Sequence, residues 1–115
     1  MEILDVLKAC GDRTRIDILR ALGRHSELCV SDLVLSCGVS QPKVSRHLAY
    51  LRREGIVSDR KEGLNVYYRL AELGDPDCVD IIRIVAHGQV HPIVIQEAVA
   101  AYDHDQREEL DVELL

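Results

Sequence analysis

Apolar residues recur at helical spacing through the first half of the chain. In "EILDVLKAC" (2–10), Ile3, Leu4 and Leu7 predict a short helix that Gly11 ends. Asp12 suits the N-cap of a second helix, "RTRIDILRALG", with Ile16, Leu19 and Leu22 as its apolar face and Gly23 as its stop. "VSDLVLSCG" predicts a third helix that closes at Gly38. Ser40 then caps a fourth, "QPKVSRHLAYLRREG", with Pro42 in its first turn and Gly55 just past its end. There Val44, Leu48 and Leu51 fall at i, i+4 and i+7 and form a core stripe. Lys43, Arg46, His47, Tyr50 and Arg53 point away from it.

The period then changes. In "IVSDRKEGLNVYYRL", Val66, Tyr68 and Leu70 alternate with Tyr67 and Arg69, which predicts a β-hairpin with its tip near Glu62–Asn65. After the turn "ELGDPD", helical spacing returns over 76–87 with Ile81, Ile82, Ile84 and Val85. Pro92 breaks or restarts the helix before "PIVIQEAVAAYDHD", and an acidic stretch follows. The expected organisation is one domain over 1–90, then a C-terminal helix and acidic tail over 91–115. No repeat or low-complexity segment interrupts it.

Composition narrows the class. The chain has 115 residues, 47% of them apolar, so it can build a small core. It lacks Phe and Trp, so that core must be aliphatic, with four tyrosines as the aromatic bulk. No apolar run approaches the roughly 20 residues of a membrane span, and no basic leader opens the chain. The expected location is the cytoplasm, with no membrane partner. The four cysteines lack disulfide-framework spacing and are expected as thiols in a reducing compartment.

The net charge of −6 argues against nucleic acid until its distribution is read. Residues 41–69 carry seven Lys/Arg and three Asp/Glu, whereas 70–115 carry two and eleven. The middle of the chain is basic and the tail strongly acidic, and phosphate contacts need only a local basic patch. Two helices joined by "CGVS" and followed by a hairpin spell a winged helix-turn-helix, mainly α with a β-hairpin wing. The second helix has one apolar side. On the other it carries Ser40, Gln41, Lys43, Ser45, Arg46 and His47, which can hydrogen-bond base edges and phosphates in a major groove. Arg60 and Lys61 near the hairpin tip can straddle a backbone or enter a minor groove. The expected partner is double-stranded DNA, bound without a cofactor. A solvated helix with ordinary surface charge is the plain alternative, and it leaves the agreement of cap, turn, hairpin and charge unexplained.

"LKACGDRTRIDILRAL", "ELCVSDLV", "SQPKVSRHLAYLRREGIVSDRKEG" and "VYYRL" resemble the ArsR/SmtB (arsenic-repressor) family of bacterial transcriptional repressors, over about residues 4–70. The resemblance implies a homodimer formed through the first and last helices, here 2–10 and 76–87. It implies that each reading helix takes one half of an inverted-repeat operator, and that an inducer releases the DNA.

In arsenic-sensing members of that family, the stretch corresponding to 29–34 reads Cys-x-Cys-x-x-Cys. Soft, trigonal As(III) suits clustered thiolates. Here those positions hold Cys29, Ser31 and Val34, so one thiol remains and the three-coordinate site is absent. Cys29 falls at the N-cap of the third helix with Asp32 at N3. The helix terminus favours negative charge there and Asp32 disfavours it. Cys37 precedes a helix-ending glycine and reads equally as core. Cys10 and Cys78 fall on the expected dimer helices, where thiols from two copies could meet. Cys29, Cys10, Cys78 and Cys37 are therefore the candidate ligands for As(III), Sb(III) or a divalent heavy metal ion as inducer. Zinc-sensing members use Asp-x-His followed further along the last helix by His-x-x-Glu or His-x-x-His. His87, His91, Glu97, Asp103 and His104 do not keep that spacing.

The leading expectation is a dimeric repressor released by a thiophilic inducer. A thiol redox or reactive-sulfur switch on the same cysteines is the alternative within regulation. A protein-interaction module that has lost DNA reading is the alternative of another class, against which Gln41 and Arg46 argue. No phosphate-binding glycine loop or carboxylate pair supports an enzyme.

Overall fold

The computed structural model describes residues 1–88. The helix expected after Pro92, the acidic tail, and His91, Glu97, Asp103 and His104 lie outside the described residues. Five helices and three strands follow in order: α1 (Ile3–Ala9), α2 (Arg13–Arg24), β1 (Leu28–Cys29), α3 (Val30–Cys37), α4 (Gln41–Arg53), β2 (Val57–Glu62), β3 (Asn65–Leu70) and α5 (Pro76–His87). Among these residues, no helix is long and apolar enough to cross a membrane.

Local chemistry sets most boundaries. The Asp12 carboxylate accepts the Arg15 backbone N–H at 3.0 Å and opens α2. The Ser40 hydroxyl accepts that of Lys43 at 3.4 Å and opens α4. Gly38 closes α3 at φ +67°, a left-handed conformation that suits glycine. The hairpin loop is Gly63–Leu64, with φ +63° at Gly63, the positive value that a primed two-residue turn needs at its first position.

One buried core joins all the helices: Val6, Ile18, Leu19, Leu33, Val44, Leu48, Leu51, Ile56, Cys78 and Ile82 belong to it. The expected stripe of α4 is buried as read. Three other expectations change. Helix α2 does not stop at Gly23 but runs to Arg24. A Cβ at position 23 would stand 2.4 Å from the Ala86 carbonyl oxygen, so this glycine serves the close approach of α5 and not a helix end. The buried face of α2 is Thr14, Ile18, Leu19, Ala21 and Leu22, with Ile16 only half-buried, because α2 packs against α3, α4 and α5 together. In α1 the buried residues are Val6 and Ala9, whereas Ile3, Leu4 and Leu7 remain about half exposed.

The sheet has the order β1-β3-β2, all antiparallel. Sequence periodicity predicts only β2 and β3. Strand β1 is two residues long, too short to show a period, and exists because Leu28 and Cys29 pair with Tyr68 and Tyr67. It ties the start of α3 to the hairpin.

Candidate nucleic-acid interface

Helix α4 presents two unlike sides. Val44, Leu48 and Leu51 are fully buried. Ser40, Gln41, Lys43, Ser45 and Arg46 are exposed at its first turns, and none makes an ion pair with another described residue. The N–H groups of a helix start and free Gln, Ser, Lys and Arg side chains thus share one surface, able to donate to phosphates and base edges alike.

His47 differs from its neighbours. Its side chain is 12% exposed and turns toward α2, where Nε2 lies 3.7 Å from the Asp12 carboxylate. Nδ1 lies 3.3 Å from an Arg15 guanidinium nitrogen. It belongs to the support of α4 and not to the open face on which its spacing put it, because position 47 borders the 44/48/51 stripe. Burial pushes His47 below the usual imidazole range, against the pull of Asp12; Arg15, Arg46 and Lys43 add to the lowering. Asp12 is itself held low, chiefly by the Arg15 backbone N–H it accepts.

The hairpin contributes less free charge than its sequence implies. Arg60 donates to Glu27 at 2.7 Å and to Glu62 at 2.7 Å, and its guanidinium lies 4.8 Å from the centre of the Tyr67 ring. It clamps the hairpin to the loop before β1 and is not an open wing cation. Its hydrogen bond holds the Glu27 carboxyl below its usual range. Lys61 is exposed beside the tip. Arg52 of α4 reaches Asp59 of β2 at 3.3 Å and fixes the reading helix to the wing.

Cys29 occupies the N-cap of α3, as its spacing implies. The Asp32 carboxylate accepts its backbone N–H at 3.2 Å and its thiol at 3.1 Å. Those bonds hold Asp32 low. Cys37 is half-buried at the end of α3 and Cys10 half-buried at the end of α1; burial raises both thiols. Cys78 is fully buried in the core, and its thiol is raised by the same cause. Among the described residues, no group of three or more His, Cys, Asp or Glu is placed to hold a metal ion.

The spacing of basic positions left three participants unseen: Asp12, Arg15 and Tyr50. Arg15 lies 4.3 Å and Arg53 5.4 Å from the centre of the Tyr50 ring. The one sequence signal is Asp12 and Arg15 at cap spacing, which speaks for a helix start and nothing more.

A buried-backed helix with a free polar first turn, joined by a left-handed glycine to the helix before it and braced by a hairpin, defines a winged helix-turn-helix domain. Residues 12–59 match the family described as bacterial regulatory protein, arsR family, and the chain belongs to it. It is similar to the arsenical resistance operon repressor of Escherichia coli (strain K12), 47% identical over 68 residues, which cover 59% of this chain and 58% of that one. The chain therefore spans a little over half the length of that curated relative. Among solved structures it is similar to HlyU from Vibrio cholerae N16961, at 35% identity and a TM-score of 0.62 over 71% of this chain and 85% of that one. It is also similar to the homodimeric winged helix-turn-helix DNA-binding domain Mb0332 from Mycobacterium bovis, at 28% identity and a TM-score of 0.60 over 91% and 82%. The family is one of regulatory proteins and not an enzyme class.

Proposed function

We infer that this chain is a cytoplasmic transcriptional repressor that binds operator DNA as a homodimer and lets go when a thiophilic inducer binds. One observation carries the DNA-reading part: Gln41, Lys43, Ser45 and Arg46 stand free on the first turns of a helix whose other side is fully buried. Arg46 and Gln41 read base edges, Lys43 and the N–H groups at Ser40 hold phosphate, and Lys61 of the wing meets the flanking backbone. His47 and Arg60 support these contacts from behind.

Two apolar surfaces favour the dimer. Ile3, Leu4 and Leu7 of α1 and Ile84 of α5 are about half exposed, with Met1 beside them, and the two helices pack together. Such apolar area on a small subunit is what a second copy covers. Two reading helices related by a twofold axis match an inverted-repeat operator.

As(III), Sb(III) or a heavy metal ion is the inducer class that the kinship with an arsenical resistance repressor favours. Cys29 is the sole thiol at the position that resembles the sensing motif, so the ligand set must be completed from elsewhere, with Cys10 and Cys37 as the half-buried thiols of the described chain.

Fluorescence anisotropy of the reduced protein on a duplex from its own upstream region, titrated with arsenite at fixed salt, tests both parts. Tight, sequence-specific binding followed by release near stoichiometric arsenite is expected. Absence of specific binding refutes the reading of DNA; binding that arsenite leaves untouched refutes the inducer.

A further inference from the structure

Arg15 sits where three helices meet, and nothing in the reading of DNA so far uses it. Its guanidinium has five N–H donors in one plane and no acceptor. Nε donates to the Ala9 carbonyl at 2.7 Å and an Nη to that of Lys8 at 3.2 Å. These are last-turn carbonyls of α1, and that of Lys8 also accepts the Gly11 backbone N–H at 3.1 Å. The other Nη faces His47 Nδ1 at 3.3 Å, and the plane lies 4.3 Å from the centre of the Tyr50 ring. One side chain of α2 thus holds the end of α1 and two side chains of α4.

We propose that Arg15 is the positioning residue of the DNA-reading helix: it anchors His47 and Tyr50 to the end of α1 and so sets the pose in which Gln41, Lys43 and Arg46 meet DNA. The proposal rests on the DNA-reading function inferred above and deepens it.

The chemistry makes the brace sensitive to a proton. Arginine only donates, so His47 Nδ1 must accept, and the proton of the neutral ring sits on Nε2, facing Asp12. A second proton would occupy Nδ1, remove the acceptor and place a cation against the guanidinium. The charged groups facing His47 are Asp12 and Arg15 from α2, and Lys43 and Arg46 on its own helix. Three of the four are cations. Burial and these cations keep His47 neutral at pH 7, the state the brace requires.

Lysine cannot replace this arginine. Its ammonium keeps the charge but not the planar fork that bonds two carbonyls and a ring nitrogen while stacking on tyrosine. Arg15→Lys therefore tests geometry at constant charge, and His47→Gln removes the titration while keeping an acceptor.

The experiment is anisotropy of the full chain on its own upstream duplex, at fixed salt, from pH 7.5 to 5.5, for wild type, Arg15→Lys and His47→Gln. Circular dichroism confirms that each protein is folded at the pH used. At pH 7.5, Arg15→Lys binds about tenfold or more weakly than wild type, the loss expected when a displaced helix gives up one base-edge contact. Wild-type affinity falls as the pH drops, opposite to the tightening that added positive charge would give on DNA. His47→Gln loses that fall. Equal affinity and an unchanged pH profile for Arg15→Lys overturn the brace while leaving DNA reading intact. Should Arg15→Lys not fold, the pH profile of His47→Gln decides alone: if it matches wild type, the brace is refuted. A wild-type protein that ignores the duplex at every pH refutes the DNA-reading function itself, and the brace with it.

Discussion

Helix α4 and the hairpin are both basic in sequence, yet their leading arginines differ in how free they are. Lys43 and Arg46 stand free, whereas Arg60 is consumed by Glu27 and Glu62. Glu62 is a neighbour on the same strand, but Glu27 is 33 residues away in the chain. The difference lies in what faces each side chain. Among the described residues Lys43 and Arg46 on the first turns of α4 meet no carboxylate, whereas β2 shares a sheet with β1, whose approach brings a carboxylate to the guanidinium. Counting basic residues measures charge; only their partners decide how much of it a phosphate can use.

Substitutions in the reading helix should have the largest effects. Arg46→Ala is expected to cost about 1–3 kcal/mol of specific binding and to relax preference at one operator position, read by anisotropy on matched and single-site-altered duplexes. Lys43→Ala should weaken binding to all sequences alike and reduce the slope of log affinity against log salt by about one. If Arg46 behaved as Lys43 does, it would be a phosphate contact and not a reader.

Effects in the wing should be smaller and of a different kind. Arg60→Ala should change DNA affinity less than Lys43→Ala at the same salt. Glu27→Gln should do the reverse of a loss: it releases part of the Arg60 charge, steepens the salt dependence and tightens nonspecific binding. Arg60 is exposed and Glu27 half-buried, so the effect on stability should be small beside the effect on DNA binding. A weakened salt slope in Glu27→Gln would show that the clamp orients the wing and that its charge is not withheld.

The smallest effect concerns acid. His47 and Asp12 both have lowered folded-state values. Each therefore contributes stability that is fully present above its unfolded value, about 6.5 for His and 3.9 for Asp, and is lost as the pH falls through the folded value. Wild-type stability should decline below about pH 6.5, and His47→Gln should flatten the upper part of that decline in urea titrations at several pH values. Asp12→Asn, which keeps a capping oxygen, should flatten only the part near pH 4.

Much of the fold was legible because its causes are local. Asp12, Gly38 and Ser40 act within a turn of their own positions, and the start of α2, the end of α3 and the start of α4 follow from them. The stripe of α4 was legible for the same reason, since three residues at helical spacing need only one partner surface. The face of α2 was not, because a helix packed by three other helices and a strand buries more than one stripe. Gly23 illustrates the limit. It reads as a helix end by composition and proves to be a contact with Ala86, 63 positions later. Gly23→Ala should destabilise by about 1–3 kcal/mol in chemical denaturation despite alanine's better helix propensity, since the clash is with backbone and cannot rotate away. Of the candidate site, the exposure of Ser40, Gln41, Lys43, Ser45, Arg46 and Lys61 followed from spacing, while the inward turn of His47 and the clamp on Arg60 did not.

The helices, the caps at Asp12 and Ser40, the hairpin and the polar side of α4 were legible in the chain, because propensity, capping and periodicity act over a few residues. Tertiary structure alone decided which charges remain free, which histidine is enclosed, why α2 passes through a glycine and where Arg15 reaches. Those properties depend on what stands within a few ångströms across the fold, and a side chain's distant partners leave no period in the chain for a reader to find.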